Sequence, residues 1–166
     1  MRFLSLQESK AFESKLRVKT NSSKRVLYNP EPSANYELAA KAIAQNFSDF
    51  AEICVIYTFC ITGDGYQDGQ LYNDTWTSYR TWRERHGCLK RTYEEPGHVF
   101  SKDENHALEE LLRFAIFLGW DALVVAKPGR GMITLSHDDI IEIHAHKHAS
   151  KLLRHLLKAG LSTAGV

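Results

Sequence analysis

The sequence predicts an α+β fold: a single domain with an antiparallel sheet of about four or five strands and helices packed on it. Three observations carry this. Ile53 to Ile61 is an uncharged run of alternating large apolar residues, as in a strand covered on both faces. Asp121–Ala126, Gly131–Ser136 and Ile140–His144 are strand-like segments whose joints, Lys127–Arg130 and His137–Asp139, are too short for anything but antiparallel neighbours. Finally, 166 residues suffice for one domain with a substantial core and are too few for two ordinary ones. Residues 33–166 hold the readable domain, with C-terminal order α-β-β-β-α, and residues 1–32 form a poorly predicted N-terminal segment.

Within that segment a short helix around Glu8–Leu16 and a strand around Arg25–Tyr28 are expected, separated by a Ser/Asn/Lys loop at 19–25. Asn29-Pro30-Glu31-Pro32 then breaks the chain. Ser33 can cap a helix over about 34–50, whose Tyr36, Ala40, Ile43, Phe47 and Phe50 fall on one stripe. Gly63–Asn73 reads as loop. Asp74 can cap a helix over about 75–86 that Gly87 ends, and Tyr93–Phe100 reads as irregular around Pro96-Gly97. Ser101-Lys102-Asp103-Glu104 fits a capping box opening a helix that presents Leu108, Leu111, Leu112 and Ala115 to the core. Gly119 ends this helix, and a basic helix with Leu152, Leu153, Leu156 and Leu157 comes after the meander.

The apolar fraction of 43% with 25% charged residues is that of a globular chain and excludes intrinsic disorder. No apolar run approaches the roughly 18 residues that span a bilayer, so no membrane role is expected. Gln7, Glu8 and Lys10 interrupt the start before a secretory apolar region develops, which points to the cytoplasm. Cysteine usage agrees. Cys54 and Cys60 share one expected strand at about 3.3 Å per residue, roughly 20 Å apart, beyond disulfide reach.

The net charge of +1 hides segregation. Residues 1–30 hold seven basic against two acidic residues, 31–79 hold one against seven, and 80–91 hold five against one. Such blocks either pair internally on folding or steer a charged partner.

No nucleotide-binding loop, complete metal-ligand set or nucleophile motif is present. The Gly63–Gly69 loop offers Asp64 and Asp68 at calcium-loop spacing, but Tyr66 and Thr75 stand where further ligands are required. His144, His146 and His148 alternate along a strand end and form a candidate metal site through His144 and His146. A third ligand would come from His98, His137, Asp138 or His155. His137 beside Asp138 and Asp139 is a candidate base held by a carboxylate, or simply a tight turn. His98 lies in a loop where functional residues collect, and Cys88, flanked by Lys90 and Arg91, is a thiol whose pKa those cations would lower. Trp76, Tyr79 and Trp82 recur at three-residue steps among Arg80, Arg83 and Arg85, the composition of a stacking surface for nucleic acid and equally of an amphipathic helix burying its aromatics.

The ordered series Tyr79-Arg80, Pro96-Gly97-His98-Val99-Phe100, Glu104, Gly119-Trp120-Asp121-Ala122 and Ser136-His137-Asp138-Asp139 resembles a set of small uncharacterised bacterial proteins. The resemblance covers about residues 79–143 and implies a bacterial, cytoplasmic origin and no particular chemistry.

The leading expectation is a small binding protein without cofactor that engages a macromolecular partner, in the first place a protein, as a toxin-neutralising or regulatory protein would. The expected surfaces are the acidic loop with Asp64, Asp68 and Asp74 and the basic helix with Trp76, Arg80 and Arg83. The alternative is a metal-assisted hydrolase in which His98, His137 and Asp138 are catalytic and converge with His144. A further alternative is nucleic-acid binding through the helix at 75–86.

Overall fold

The computed structural model describes residues 1–16, 25–28, 36–58, 74–126, 131–144 and 149–163, apart from the side chains of 25–28 and 74–76. In chain order the elements are β1 (Arg2–Leu4), α1 (Leu6–Lys15), β2 (Arg25–Tyr28), α2 (Tyr36–Phe47), β3 (Glu52–Tyr57), α3 (Asp74–Arg85), β4 (Gly97–Ser101), a 3-10 turn (Lys102–Glu104), α4 (Asn105–Phe117), β5 (Ala122–Ala126), β6 (Gly131–Ser136), β7 (Ile140–His144), α5 (Ala149–Lys158) and β8 (Ser162–Thr163). The strands form one sheet in the order β1-β4-β3-β5-β6-β7-β2-β8, and each pairing between neighbours is antiparallel. The fold is α+β.

The sheet is wider than four or five strands, and β1, β4 and β8 account for the difference. β4 replaces the irregular stretch expected before Ser101. It is zipped between two partners, with Val55 opposite His98 and Ile53 opposite Phe100 on one side and Val99 opposite Arg2 on the other. Pro96, which lacks a donor, stands just outside the strand and accepts the Tyr57 amide through its carbonyl at 3.1 Å.

The N-terminal segment is part of the same sheet. Ser5 and Glu8 form a full capping box: the Glu8 carboxylate accepts the Ser5 amide at 2.8 Å, and the Ser5 hydroxyl accepts the Glu8 amide at 3.2 Å. α1 thereby starts immediately after β1 and folds back over β4. A glycine is required at the crossing. A Cβ at Gly97 would lie 2.6 Å from Ser9 Oγ and 2.7 Å from Leu4 Cβ, closer than carbon atoms pack.

β3 is buried on both faces, as its uncharged alternation demands. One face carries Ile53, Val55 and Tyr57 into the main core with Phe100, Val124, Ile133 and Ile143, beneath side chains from α2, α3, α4 and α5. The opposite face carries Cys54 and Ile56 against Leu4, Val99 and Phe12 of α1. From α4, Leu108, Leu111, Leu112 and Ala115 are fully buried, the stripe its spacing predicts. Each such Leu stabilises the fold by about 1.5–3 kcal/mol through burial.

Two helix ends set the direction of the chain beyond them. Gly87 at φ 84° and Gly119 at φ 62° take the left-handed conformation that stops α3 and α4. In each, the next amide reaches back five residues, from Cys88 to the Arg83 carbonyl at 3.0 Å and from Trp120 to the Ala115 carbonyl at 2.8 Å. The first reversal lays Cys88 beside Arg83, and the second turns Trp120 into the core. Among the described residues no helix is long and apolar enough to cross a membrane.

Candidate functional site

The most structured polar site lies at the corner between α3 and β4, and its centre is Arg83. A charged residue in the last turn of an exposed helix would ordinarily face water. Arg83 instead is 2% exposed, which corrects the expectation that it offers a surface to a partner. Its guanidinium replaces water with fixed acceptors. Nη1 donates to the Tyr79 hydroxyl at 3.0 Å and the Glu95 carbonyl at 3.2 Å, and Nη2 donates to Cys88 Sγ at 2.8 Å and the Lys90 carbonyl at 3.3 Å. The group also lies 5.3 Å from the Phe3 ring centroid and 5.7 Å from that of Tyr79, distances at which an aromatic face attracts a cation. Arg83 therefore pins the loop 88–95 onto the helix that precedes it.

Cys88 is the second member. Its thiol receives the Arg83 hydrogen bond and sits 3.1 Å from Glu95 Oε2, to which it can donate. Burial pushes the thiol pKa up, and the hydrogen bond to Glu95 adds to this against the pull of Arg83. The net lowering expected from Lys90 and Arg91 does not result, because burial outweighs the contributions that lower it, and the Lys90 ammonium is itself engaged with Glu95 Oε1 at 2.8 Å. Burial alone would raise the Glu95 carboxyl, but hydrogen bonds from Lys90 and Cys88 hold it below its ordinary value.

Above this network opens a recess of about 160 Å³. Its buried lining is Arg83, Cys88 and Thr92. Its exposed rim carries Arg80, Lys90 and Arg91 against the single carboxylate of Glu84. Leu89, 86% exposed, projects from the same rim. Nearby, the Arg91 guanidinium donates to the Tyr93 hydroxyl at 3.2 Å, and Tyr93 is exposed.

His98 lies on the core side of this corner and has none of the access a catalytic base needs. It is fully buried, enclosed by Phe3, Tyr57, Trp82 and Phe100 with ring centroids 5.1–6.4 Å away. Burial holds its pKa well below 6.5, and the charge of Arg83 lowers it further. The Val55 and Pro96 carbonyls lie close enough to favour a proton, but neither ring nitrogen makes a hydrogen bond of good geometry. His98 is a neutral packing residue at pH 7.

The two other motifs do converge, as a clasp. Asp121, immediately before β5, accepts the His137 backbone amide at 2.9 Å, and its Oδ2 lies 2.9 Å from His137 Nδ1. Asp138 Oδ1 stands 3.5 Å from Nε2 on the far side. Hydrogen bonding and charge from Asp121, with Asp138 adding to them, raise the His137 pKa above 6.5. Asp139 at φ 59° completes the tight turn. Both imidazole nitrogens face carboxylates on an exposed turn, so the group ties β5 to the β6–β7 connection. The Pro-Gly-His motif meets this region only through packing: Tyr57 contacts His98 at 5.2 Å and Trp120 at 5.0 Å between centroids.

Convergence of the proposed hydrolase residues fails on the same geometry. His98 shares the core face of the sheet with Val55 and Phe100, whereas His144 comes after the buried Ile143 and points to the opposite face. There His144 Nε2 lies 2.8 Å from Thr134 Oγ1 and 3.4 Å from Glu142 Oε2. Among the described residues no three His, Cys, Asp or Glu side chains are arranged to hold a metal ion. His146, Asp64 and Asp68 lie outside the described residues, as do the side chains of Asp74 and Trp76. Tyr79 and Trp82 are buried, Trp82 donating to Glu110 Oε2 at 3.0 Å, so neither offers a face on which a base could stack. Arg80 is exposed, as expected.

Sequence reasoning missed Glu95, Thr92 and Leu89. A usable signal was present: Arg83 lies five residues before Cys88 across a glycine stop, the spacing that folds a loop back onto the helix end. No protein-family model, curated protein or solved structure matches the chain.

Proposed function

We propose that the protein is a small binding protein whose α3–β4 corner engages the acidic surface of a protein partner, as a toxin-neutralising or regulatory protein would. The observation that carries this reading is the rim of the recess. Leu89 stands exposed among Arg80, Lys90 and Arg91, with Tyr93 alongside, on a loop immobilised by a buried arginine. Arginine and tyrosine are the residue types that dominate binding energy at interfaces, and a pre-ordered loop spares the entropy of ordering on contact. The segregated positive charge of residues 80–91 steers an acidic partner toward it. Burial of Tyr79 and Trp82 takes two of the three aromatics of this helix away from the nucleic-acid alternative. The buried, reduced thiol of Cys88 accords with the reducing bacterial cytoplasm that the resemblance implies.

Binding of the purified protein to an immobilised glutamate-rich peptide tests the reading. The double variant Arg80→Glu, Arg91→Glu should lose at least about tenfold in affinity, and wild-type binding should weaken with salt. A partner recovered from the native host should be lost with the same variant. If the wild type binds neither peptide nor partner, or charge reversal changes nothing, the reading is overturned.

A further inference from the structure

We infer that the recess at the α3–β4 corner is a phosphoryl site that takes the phosphomonoester of a phosphorylated side chain on the partner. This deepens the proposed function and rests on it. The first argument is an unmatched buried cation. Among the described residues no carboxylate lies within ion-pair distance of Arg83; its fork is met by neutral acceptors, and its Nε–H, also buried, has no partner. A buried charge ordinarily has a counter-ion, and the nearest carboxylate, Glu95, is already committed to Lys90 and the Cys88 thiol.

The second argument is charge matching. The recess gathers Arg80, Arg83, Lys90 and Arg91 against Glu84, and Glu94 and Glu95 adjoin it, four cations to three carboxylates. A phosphomonoester, which carries about −1.5 to −2 at pH 7, answers this net positive lining with more charge than one carboxylate brings. Arginine forks also fit tetrahedral oxyanions with paired hydrogen bonds, and Arg80 presents an exposed fork on the rim while the fork of Arg83 is held by the loop.

The third argument is size. At about 160 Å³ the recess admits a phosphoryl group and the atoms that carry it. It is well short of the roughly 300 Å³ or more typical of whole small-molecule sites, so a nucleotide would leave its base outside. The recess therefore selects a phosphorylated side chain presented by a larger surface, with Leu89 and Tyr93 meeting the flanking residues.

Three probes test this on the full chain: inorganic phosphate, AMP, and an acidic peptide in three forms bearing phosphoserine, serine or glutamate at one position. Phosphate should shift the amide resonances of residues 88–92. The phosphoserine peptide should bind at least about tenfold tighter than the glutamate form. Arg80→Gln and Arg91→Gln, both at exposed positions, should abolish that preference while leaving the unfolding midpoint in place. If the glutamate peptide binds as well as the phosphoserine peptide, the phosphoryl inference fails and the acidic-partner reading stands. If no peptide binds, both fail. If AMP binds as tightly as the phosphopeptide, the side-chain source is overturned.

Discussion

The aromatic enclosure around His98 and Arg83 and the exposed turn around His137 are built from the same polar residue types, with opposite electrostatic results. In the enclosure, removal from water dominates: His98 stays neutral, and Arg83 keeps its charge only because Tyr79, Cys88 and loop carbonyls replace the solvent. At the turn, water screens everything, and His137 gains protons because Asp121 and Asp138 flank it. Neighbouring charge sets the chemistry where the group is wet, and desolvation sets it where the group is dry. A histidine beside an aspartate in the sequence is therefore a weaker pointer to a working base than its burial is.

Removing the pin should have the largest effect. Arg83→Leu strips the donors from Tyr79, Cys88 and the loop carbonyls, and we expect a loss of about 3–5 kcal/mol in denaturant unfolding. Arg83→Lys keeps the charge but not the fork and should recover only part of it. A neutral result for Arg83→Leu would show that the loop holds itself.

Next is the crossing of α1 over β4. Gly97→Ala places a methyl group against Ser9 and Leu4 and should cost about 1–3 kcal/mol. Hydrogen exchange should localise the damage to β1 and α1, since these elements must move to admit the methyl group. Damage spread evenly over the sheet would contradict that.

The pH dependence separates the two histidines by sign. His98 is held neutral in the fold, so below about 6.5 the unfolded chain binds a proton the folded chain refuses. Its contribution is complete above that value and is lost as pH falls, by up to about 1.4 kcal/mol per pH unit. Urea melts from pH 7 to 5 should show this slope in the wild type and lose that part of it in His98→Phe.

His137 behaves in the reverse sense. Its pKa is raised in the fold, so its contribution is present below about 6.5 and is lost as pH rises through the folded value. Being exposed, it is the smallest effect. Asp121→Asn should return the His137 NMR titration toward 6.5 while barely moving the unfolding midpoint. A titration midpoint that stays high would mean Asp138 alone holds the proton.

Much of the fold was legible because its signals are local. Alternation without charge identifies β3, tight polar joints identify the β5–β6–β7 meander, and the Leu108–Ala115 stripe and Gly119 define α4. β4 was hidden because Pro96-Gly97 reads as a break, although His98 and Phe100 alternate with Val99 just after it. β1 was hidden by its length of three residues, although Ser5 and Glu8 announce the helix behind it. The site was less legible. Counting charges treats Arg83 like Arg80 and Arg85, and only the reversal after Gly87 turns one of the three inward. His98 and His137 look alike in sequence because burial is decided by strand pairings far along the chain.

Those pairings also bear on how the chain reaches its native state. Arg25 is opposite Ile143 and Tyr28 is opposite Ser162, Arg2 is opposite Val99, and Ile53 is opposite Ala126. As the polypeptide leaves the ribosome, β1, β2 and β3 each wait for strands made much later. Such non-local closure places folding toward the slow, millisecond-to-second end of the range for single domains. Until the C-terminal half emerges, the apolar β3 segment is uncovered, a window in which a nascent-chain chaperone has something to hold.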